Sequence, residues 1–362
     1  MPRILLVTND FPPTVGGIQS YLRDFLGTLD PQDVVVFAST QDAQAAAAHD
    51  AQVPYRVIRW PRQVMLPTPA TAEAMGQIIG ELDIDTVWFG AAAPLALMGR
   101  AARAAGARRI IASTHGHEVG WSMVPGARQV LRRIGNTADV VTYISDYTLR
   151  RFRRAFGSHP EFRHLPSGVN TEWFRPAARP PGPPTVVCVS RLVPRKGQDM
   201  LIRVWPRVLE RHPEARLRII GSGPHERTLR ALAAPLGAAV EFTGPLDTTA
   251  LRDALAAADI FAMPARTRGR GLDVEGLGIV YLEAQACGVP VIAGDSGGAP
   301  ETVTPETGLV VDGRDEDQLT DALLTLLDDP DRAAGMGQAG RRYALAEWTW
   351  EIMGARLRDI LR

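Results

Sequence analysis

Short apolar runs recur along the chain, each followed by a polar or glycine-rich stretch and then by a segment of helical periodicity. Residues 3–8 (RILLVT) form the first run, Asn9 to Gly17 a loop, and Ile18 to Leu29 an amphipathic helix. Further runs predict strands at 34–38, 55–60, 86–89, 109–113 and 139–144, with helices at about 70–82, 94–105, 126–134 and 145–156. Uninterrupted apolar runs of this length suit strands buried on both faces. Their alternation with helices predicts a mostly parallel, doubly wound sheet. Residues 176–184 hold five prolines in nine positions and read as a semi-rigid linker. The pattern then restarts, with strands at 185–190, 216–220, 239–243, 260–263 and 289–293 and final helices at 315–327, 331–344 and 347–361. The expectation is an N-terminal domain over 1–170, a linker over 171–184 and a second domain over 185–346. The helix at about 347–362 is expected to pack back onto the first domain.

Composition narrows this picture. A chain of 362 residues exceeds one ordinary core, which supports two domains. Forty basic and forty acidic residues cancel, so no global field points to nucleic acid. Two cysteines, Cys188 and Cys287, suggest a reducing compartment without a disulfide framework. The N-terminus lacks a signal-like apolar region, and the run from Val87 to Gly99 falls short of the ~20 residues a membrane span needs. The expected location is cytoplasmic, with at most peripheral membrane contact. One bias is sharper: the only lysine among the forty basic residues is Lys196, a compact point charge where the chain otherwise writes Arg.

The candidate chemistry centres on residues 268–288. A run containing Gly269 and Gly271 leads to Glu275, then Gly276-Leu277-Gly278, then a helical segment from Ile279 that carries Glu283. The first turn of a helix after a buried strand is an anion site, because its unpaired N–H groups and positive dipole end point outward. Eight residues of separation put the two glutamates about 12 Å apart or more, too far to act on one bond as glycosidase carboxylates do. They suit a long ligand with hydroxyls at its ends and phosphate in its middle, or else they are solvated glutamates on a surface helix. Arg191 and Lys196 follow the strand at 185–190, at the carboxyl edge where such sheets bind ligands, and two cations there suit a diphosphate.

In the first half, Gly16-Gly17 lets backbone approach a ligand, or makes a plain tight turn. His115, His117 and Glu118 follow the strand at 109–113, and the absence of a further Cys/His cluster argues against a metal there. The helix at 145–156 places Leu149, Phe152 and Phe156 on one stripe amid Arg150, Arg151, Arg153 and Arg154. Such a helix either packs its stripe on a core, the reading we prefer, or lies on an anionic bilayer. The loop from Arg59 to Leu66 is a second membrane candidate. Gly221-Ser222-Gly223 lacks the third glycine of a dinucleotide fingerprint. Gly294-Asp295-Ser296-Gly297-Gly298 matches a nucleophile elbow, but no His follows it to complete a triad.

With these pieces placed, E-G-L-G-I-V-Y-L-E resembles the E-x7-E motif of retaining glycosyltransferases of family 4. S-R-L-V-P-R-K-G-Q-D, the Gly16-Gly17 loop and G-G-A-P-E at 297–301 match the same family, over essentially the whole chain. The resemblance implies an α/β protein of GT-B fold, two Rossmann-like domains facing a central cleft. The strings N-D-F-P-P, S-T-H-G-H-E-V-G-W-S-M and P-A-R-T-R-G-R-G-L-D-V are similar to the branch that uses GDP-mannose and phosphatidylinositol monomannoside, forming an α-1,6 linkage. It implies that Arg191 and Lys196 hold the donor diphosphate, Glu283 accepts from the ribose and Glu275 contacts the mannose. Backbone of Gly276, Leu277, Gly278, Ile279 and Val280 would complete the donor site, with Leu246 and Asp247 by the guanine. Gly16 and Gly17 would close over the phosphates and His115 would line the reaction centre. Asn9, Asp10, Gln19 and His117 would face the acceptor. Neither cofactor nor metal is implied, since GDP-mannose is a substrate. Transient contact with the inner leaflet is implied, and no nucleic acid. A dinucleotide-dependent oxidoreductase is the rival of a different class.

Overall fold

The computed structural model describes residues 3–178 and 182–362, so residues 179–181 of the expected linker lie outside the described residues. Two compact units result: one runs to Ser167 and includes Trp350–Arg362, and the other spans Gly168–Thr349. In the first, β1 (Ile4–Thr8), β2 (Val34–Ser39), β3 (Arg56–Trp60), β4 (Thr86–Phe89), β5 (Arg109–Ser113), β6 (Val140–Tyr143) and β7 (Glu161–His164) form one sheet in the order 3-2-1-4-5-6-7. Every pairing is parallel. All five residues of β1 are buried, and Leu5 sits in register between Val35 and Val87. A strand covered on both faces needs apolar side chains at every position, and that explains the continuous run in the sequence.

The second unit repeats the plan with β8 (Thr185–Val189), β9 (Arg216–Ile220), β10 (Val240–Gly244), β11 (Ile260–Met263), β12 (Val291–Gly294) and β13 (Gly308–Val311). Their order is 10-9-8-11-12-13, again all parallel. In both sheets the order reverses beside the first strand, at β1/β4 and at β8/β11. The helices on either side of that point leave to opposite faces, which opens a crevice at the strands' carboxyl ends.

The final helix, Trp350–Leu361, packs on the first sheet's layer. Trp350 meets Phe25 edge-on at 5.1 Å, Arg109 Nε donates to the Ile360 carbonyl at 2.7 Å, and Gly354 lies against Thr28. Two strands escape the sequence pattern. β7 and β13 are four-residue edge strands with mixed burial, and one-sided pairing does not demand an unbroken apolar run.

Candidate active site

The switch point of the second sheet gathers its charges. The loop after β8 makes one 3-10 turn, Pro194–Lys196, before Gly197 takes the left-handed region at φ 79° and starts the helix Gln198–Arg211. A Cβ on Gly197 would lie 2.0 Å from the Pro264 carbonyl oxygen, so only glycine lets this loop meet the end of β11. Two further bonds fasten the loops together: Arg266 N–H donates to the Arg195 carbonyl at 2.7 Å, and Arg266 Nη2 contacts both oxygens of Asp199 at 2.8 Å. Lys196 Nζ then lies 2.5 Å from Glu275 Oε2, with about a tenth of each side chain exposed. The two form an ion pair, and Glu275 Oε2 has no hydrogen-bond partner among the described residues. Arg191 is exposed and has no side-chain partner among the described residues.

Glu275 is held from behind by the motif that imitates a hydrolase elbow. Ser296, fully buried, accepts from the Glu275 N–H at 3.2 Å, and Gly298 N–H donates to the Glu275 carbonyl at 2.9 Å. A Cβ on Gly297 would sit 1.8 Å from that same carbonyl oxygen. Gly221-Ser222-Gly223 does the same for Arg191: Leu192 N–H donates to the Ser222 carbonyl at 2.9 Å, and a Cβ on Gly221 would come within 2.1 Å of Ser190 O. Both glycine motifs are buttresses. Sequence reasoning rejected their usual chemistry but did not see this role, which depends on loops distant in the chain.

Gly278, at φ 88°, opens the helix Ile279–Ala286, and its missing Cβ makes room for the Tyr281 ring. The N–H groups of Ile279 and Val280 precede the first intrahelical bond and are free for an anion. Glu283 lies one turn on, half-buried, with no side-chain partner among the described residues, and burial pushes its carboxyl up to about 7. A carboxyl group lifted by desolvation alone gains most from a ligand that donates hydrogen bonds to it. Leu246 is half-buried; Asp247 is exposed and caps the helix Thr248–Ala256, accepting from Ala250 N–H at 2.8 Å.

The first unit's crevice is built differently. Asn9 spends its amide on Met65, donating to the carbonyl at 2.9 Å and accepting from the N–H at 2.7 Å. His115 Nε2 lies 2.7 Å from the Gly90 carbonyl, so that nitrogen carries the proton and Nδ1 is left as the acceptor. Burial holds the His115 ring neutral, its pKa down to about 4. Glu118 is buried and accepts from the N–H groups of His115 and Gly116, each at 3.1 Å, which shapes the turn. Asp10 is half-buried and its carboxyl is raised by that burial, with His117 opposing the shift. Gln19 Nε2 donates to Asp10 at 3.3 Å, and a Cβ on Gly16 would strike the Gln19 side chain at 2.3 Å. Gly17 is open, and Val15 at the loop tip is 97% exposed.

The membrane candidates also change. Phe152 and Phe156 are fully buried and Leu149 packs partly buried against the same core, so the stripe of Asp146–Phe156 belongs to the core, while its four arginines and Asp146 face solvent. In the loop from Arg59 to Leu66, Arg59 is spent on Asp50 through Nε at 2.9 Å and Nη2 at 2.7 Å, while Val64 and Leu66 are 57% and 54% exposed near the exposed Arg62.

Residues 15–173 match the family description Glycosyltransferase Family 4, and residues 169–343 match Glycosyl transferases group 1. The chain is 63% identical to the GDP-mannose-dependent monoacylated α-(1-6)-phosphatidylinositol monomannoside mannosyltransferase of Corynebacterium glutamicum, over 99% of this chain and 98% of that protein. It is 56% identical, with the same coverage, to the GDP-mannose-dependent α-(1-6)-phosphatidylinositol monomannoside mannosyltransferase of Mycolicibacterium smegmatis. Among solved structures it is similar to sucrose-phosphate synthase from Thermosynechococcus elongatus, with a TM-score of 0.79 and 25% identity over 99% of this chain and 97% of that one.

Proposed function

The chain belongs to glycosyltransferase family 4, and from that premise we propose that it transfers mannose from GDP-mannose to phosphatidylinositol monomannoside in α-1,6 linkage. Full-length identity to enzymes named for this donor and acceptor supports the reading. The observation that carries it to residues is the Lys196–Glu275 pair at the β8/β11 crevice, beside a helix start and the unpartnered Glu283.

In this reading the donor lies along 275–283. Its diphosphate takes Lys196 from Glu275 and is flanked by Arg191 and the N–H groups of Ile279 and Val280. Glu275, released, accepts from mannose hydroxyls, aided by backbone around Gly276 to Gly278, while Glu283 accepts from the ribose. Leu246 and Asp247 adjoin the guanine. The C1–O bond to the β-phosphate breaks with its electron pair staying on GDP. The acceptor hydroxyl oxygen closes on C1 from the same face, with retention, and its proton passes to a β-phosphate oxygen. Fixed cations and amide dipoles stabilise the charge that builds on GDP, so no metal is required. Within the first unit, the same reading gives the loop at Gly16 and Gly17 and neutral His115 to the reacting end of the donor, and Asp10, Gln19, His117 and the loop fixed by Asn9 to the acceptor.

Because the acceptor is a lipid, the protein works as a peripheral partner of the inner membrane face. No helix among the described residues is long and apolar enough to cross a membrane. Purified protein, GDP-mannose and phosphatidylinositol monomannoside in detergent, analysed by mass spectrometry with and without chelator, tests the proposal. A gain of one hexose, unchanged by EDTA, is expected. An unaltered lipid would refute the acceptor, and loss of product restored by Mg²⁺ would refute the metal-free step.

A further inference from the structure

Charge is evenly balanced over the chain but not over the first unit's surface. Between residues 119 and 160 there are seven arginines against two aspartates, Asp139 and Asp146. Asp139 is already taken by Arg103 and the Ile110 N–H. Four of the arginines, Arg128, Arg132, Arg153 and Arg154, line one open depression of about 630 Å³. None has a carboxylate partner among the described residues.

The depression is a shaped feature of the fold. Helices Pro125–Gly135 and Asp146–Phe156 pack so closely that a Cβ on Gly135 would meet the Phe156 carbonyl oxygen at 2.0 Å. Gly157, at φ 98°, forms the floor: a Cβ there would lie 2.1 Å from Arg132 Nη1. Arg132 is pinned by donating to the Arg154 carbonyl at 2.9 Å, and Arg153 lies over the Phe162 ring at 5.4 Å. Guanidinium groups held together without counter-ions repel one another, and an anion with several oxygens relieves that.

Beside this depression the surface turns apolar. Met123 and Val124 are 47% and 56% exposed where the helix Glu118–Met123 hands over to Pro125–Gly135. A second hollow, lined by Met123, Pro125, Arg128 and Arg132 among others, joins the two features through shared arginines. Exposed apolar side chains next to clustered basic ones fit the boundary between headgroups and acyl chains. Helix Glu118–Met123 begins three residues after His115 and is about 9 Å long at six residues, so the surface lies one short helix from the candidate reaction edge.

We propose that the arginine depression binds phosphates of anionic phospholipid headgroups, with Met123 and Val124 entering the bilayer beside it. This site docks the enzyme on the leaflet that holds its lipid acceptor, and so it rests on the lipid-acceptor reading above. Neutral bilayers offer only the apolar contact, and rising salt weakens the rest.

Flotation of the purified protein with phosphatidylcholine vesicles, with and without phosphatidylglycerol, tests this. Wild type is expected to float with anionic vesicles only, and to dissociate as salt is raised. Arg128→Gln with Arg154→Gln should weaken that binding roughly fivefold for each arginine removed. Met123→Ser with Val124→Ser should weaken it while leaving salt sensitivity intact, which guards against misfolding of the arginine variant. Transfer to lipid dispersed in detergent should be unchanged in both variants. Equal flotation of wild type and variants, or of neutral and anionic vesicles, would overturn the proposal. So would calorimetric binding of inorganic phosphate alone with no preference for anionic vesicles, or RNA binding in place of vesicle binding. Wild-type flotation without mannosyl transfer in detergent would instead strike the acceptor reading and leave the docking surface standing.

Discussion

The two crevices share a topology and differ in how their polar groups are spent. In the first unit, Asn9 is committed to Met65, His115 to Gly90, and Glu118 to the backbone of its own turn. In the second, Arg191 and Glu283 have no side-chain partner among the described residues, and Lys196 and Glu275 form an ion pair in which Glu275 Oε2 has no hydrogen-bond partner among them. Satisfied groups shape a surface; unsatisfied ones wait for a ligand. The contrast is the reason the donor's diphosphate is proposed to bind at the second unit, where the charged groups are not yet spent on the fold. Glycine enforces both arrangements, but in the second unit it does so by bringing separate loops within backbone contact of the charged residues.

The largest effect that would break this comparison is at Lys196. Lys196→Ala strands a buried carboxylate, which costs about 3 kcal/mol, and removes a charge from the leaving group, which costs about 10²–10³ in turnover. Adding Glu275→Gln should restore the melting temperature while turnover stays low. Recovery of turnover in the double variant would make the pair merely structural. Next is Ser296→Ala, which leaves the buried Glu275 N–H without its acceptor. We expect a loss of about 1–2 kcal/mol in denaturant unfolding and a raised donor KM. An unchanged KM would remove Ser296 from the positioning of Glu275.

The smallest effect is one of pH. Glu283 keeps its proton up to about 7 in the fold, against an ordinary 4.5, so the folded state binds the extra proton between those values. Its contribution to stability is therefore full below pH 4.5 and is lost as pH rises through 7. An ionised carboxylate is the better acceptor for ribose hydroxyls, so GDP affinity should rise across the same interval. Glu283→Gln should flatten both trends, giving a protein somewhat more stable above pH 7 that binds GDP more weakly, by calorimetry and thermal melts. A pH-dependent GDP affinity that persists in this variant would assign the titration to another group.

Legibility followed from how local each cause was. Buried parallel strands require unbroken apolar runs, so the alternation of elements and the loops at the carboxyl edges could be read from residue order. Arg191, Lys196, Glu275 and Glu283 were visible as candidates because a lone lysine and a glycine-flanked pair of glutamates are rare patterns. The edge strands β7 and β13 were not visible, because one-sided pairing leaves little signal. What only the tertiary structure decided is which polar groups are satisfied. Ser296 finds Glu275 across 21 residues, Asn9 finds Met65 across 56, and Arg109 finds Ile360 across 251. Likewise Arg128 and Arg132 acquired an apolar neighbour in Met123, while the stripe of the helix at 146–156 went to the core. Periodicity is a property of neighbours in sequence, whereas satisfaction of a donor, a charge or a surface depends on partners that the chain brings together only by folding.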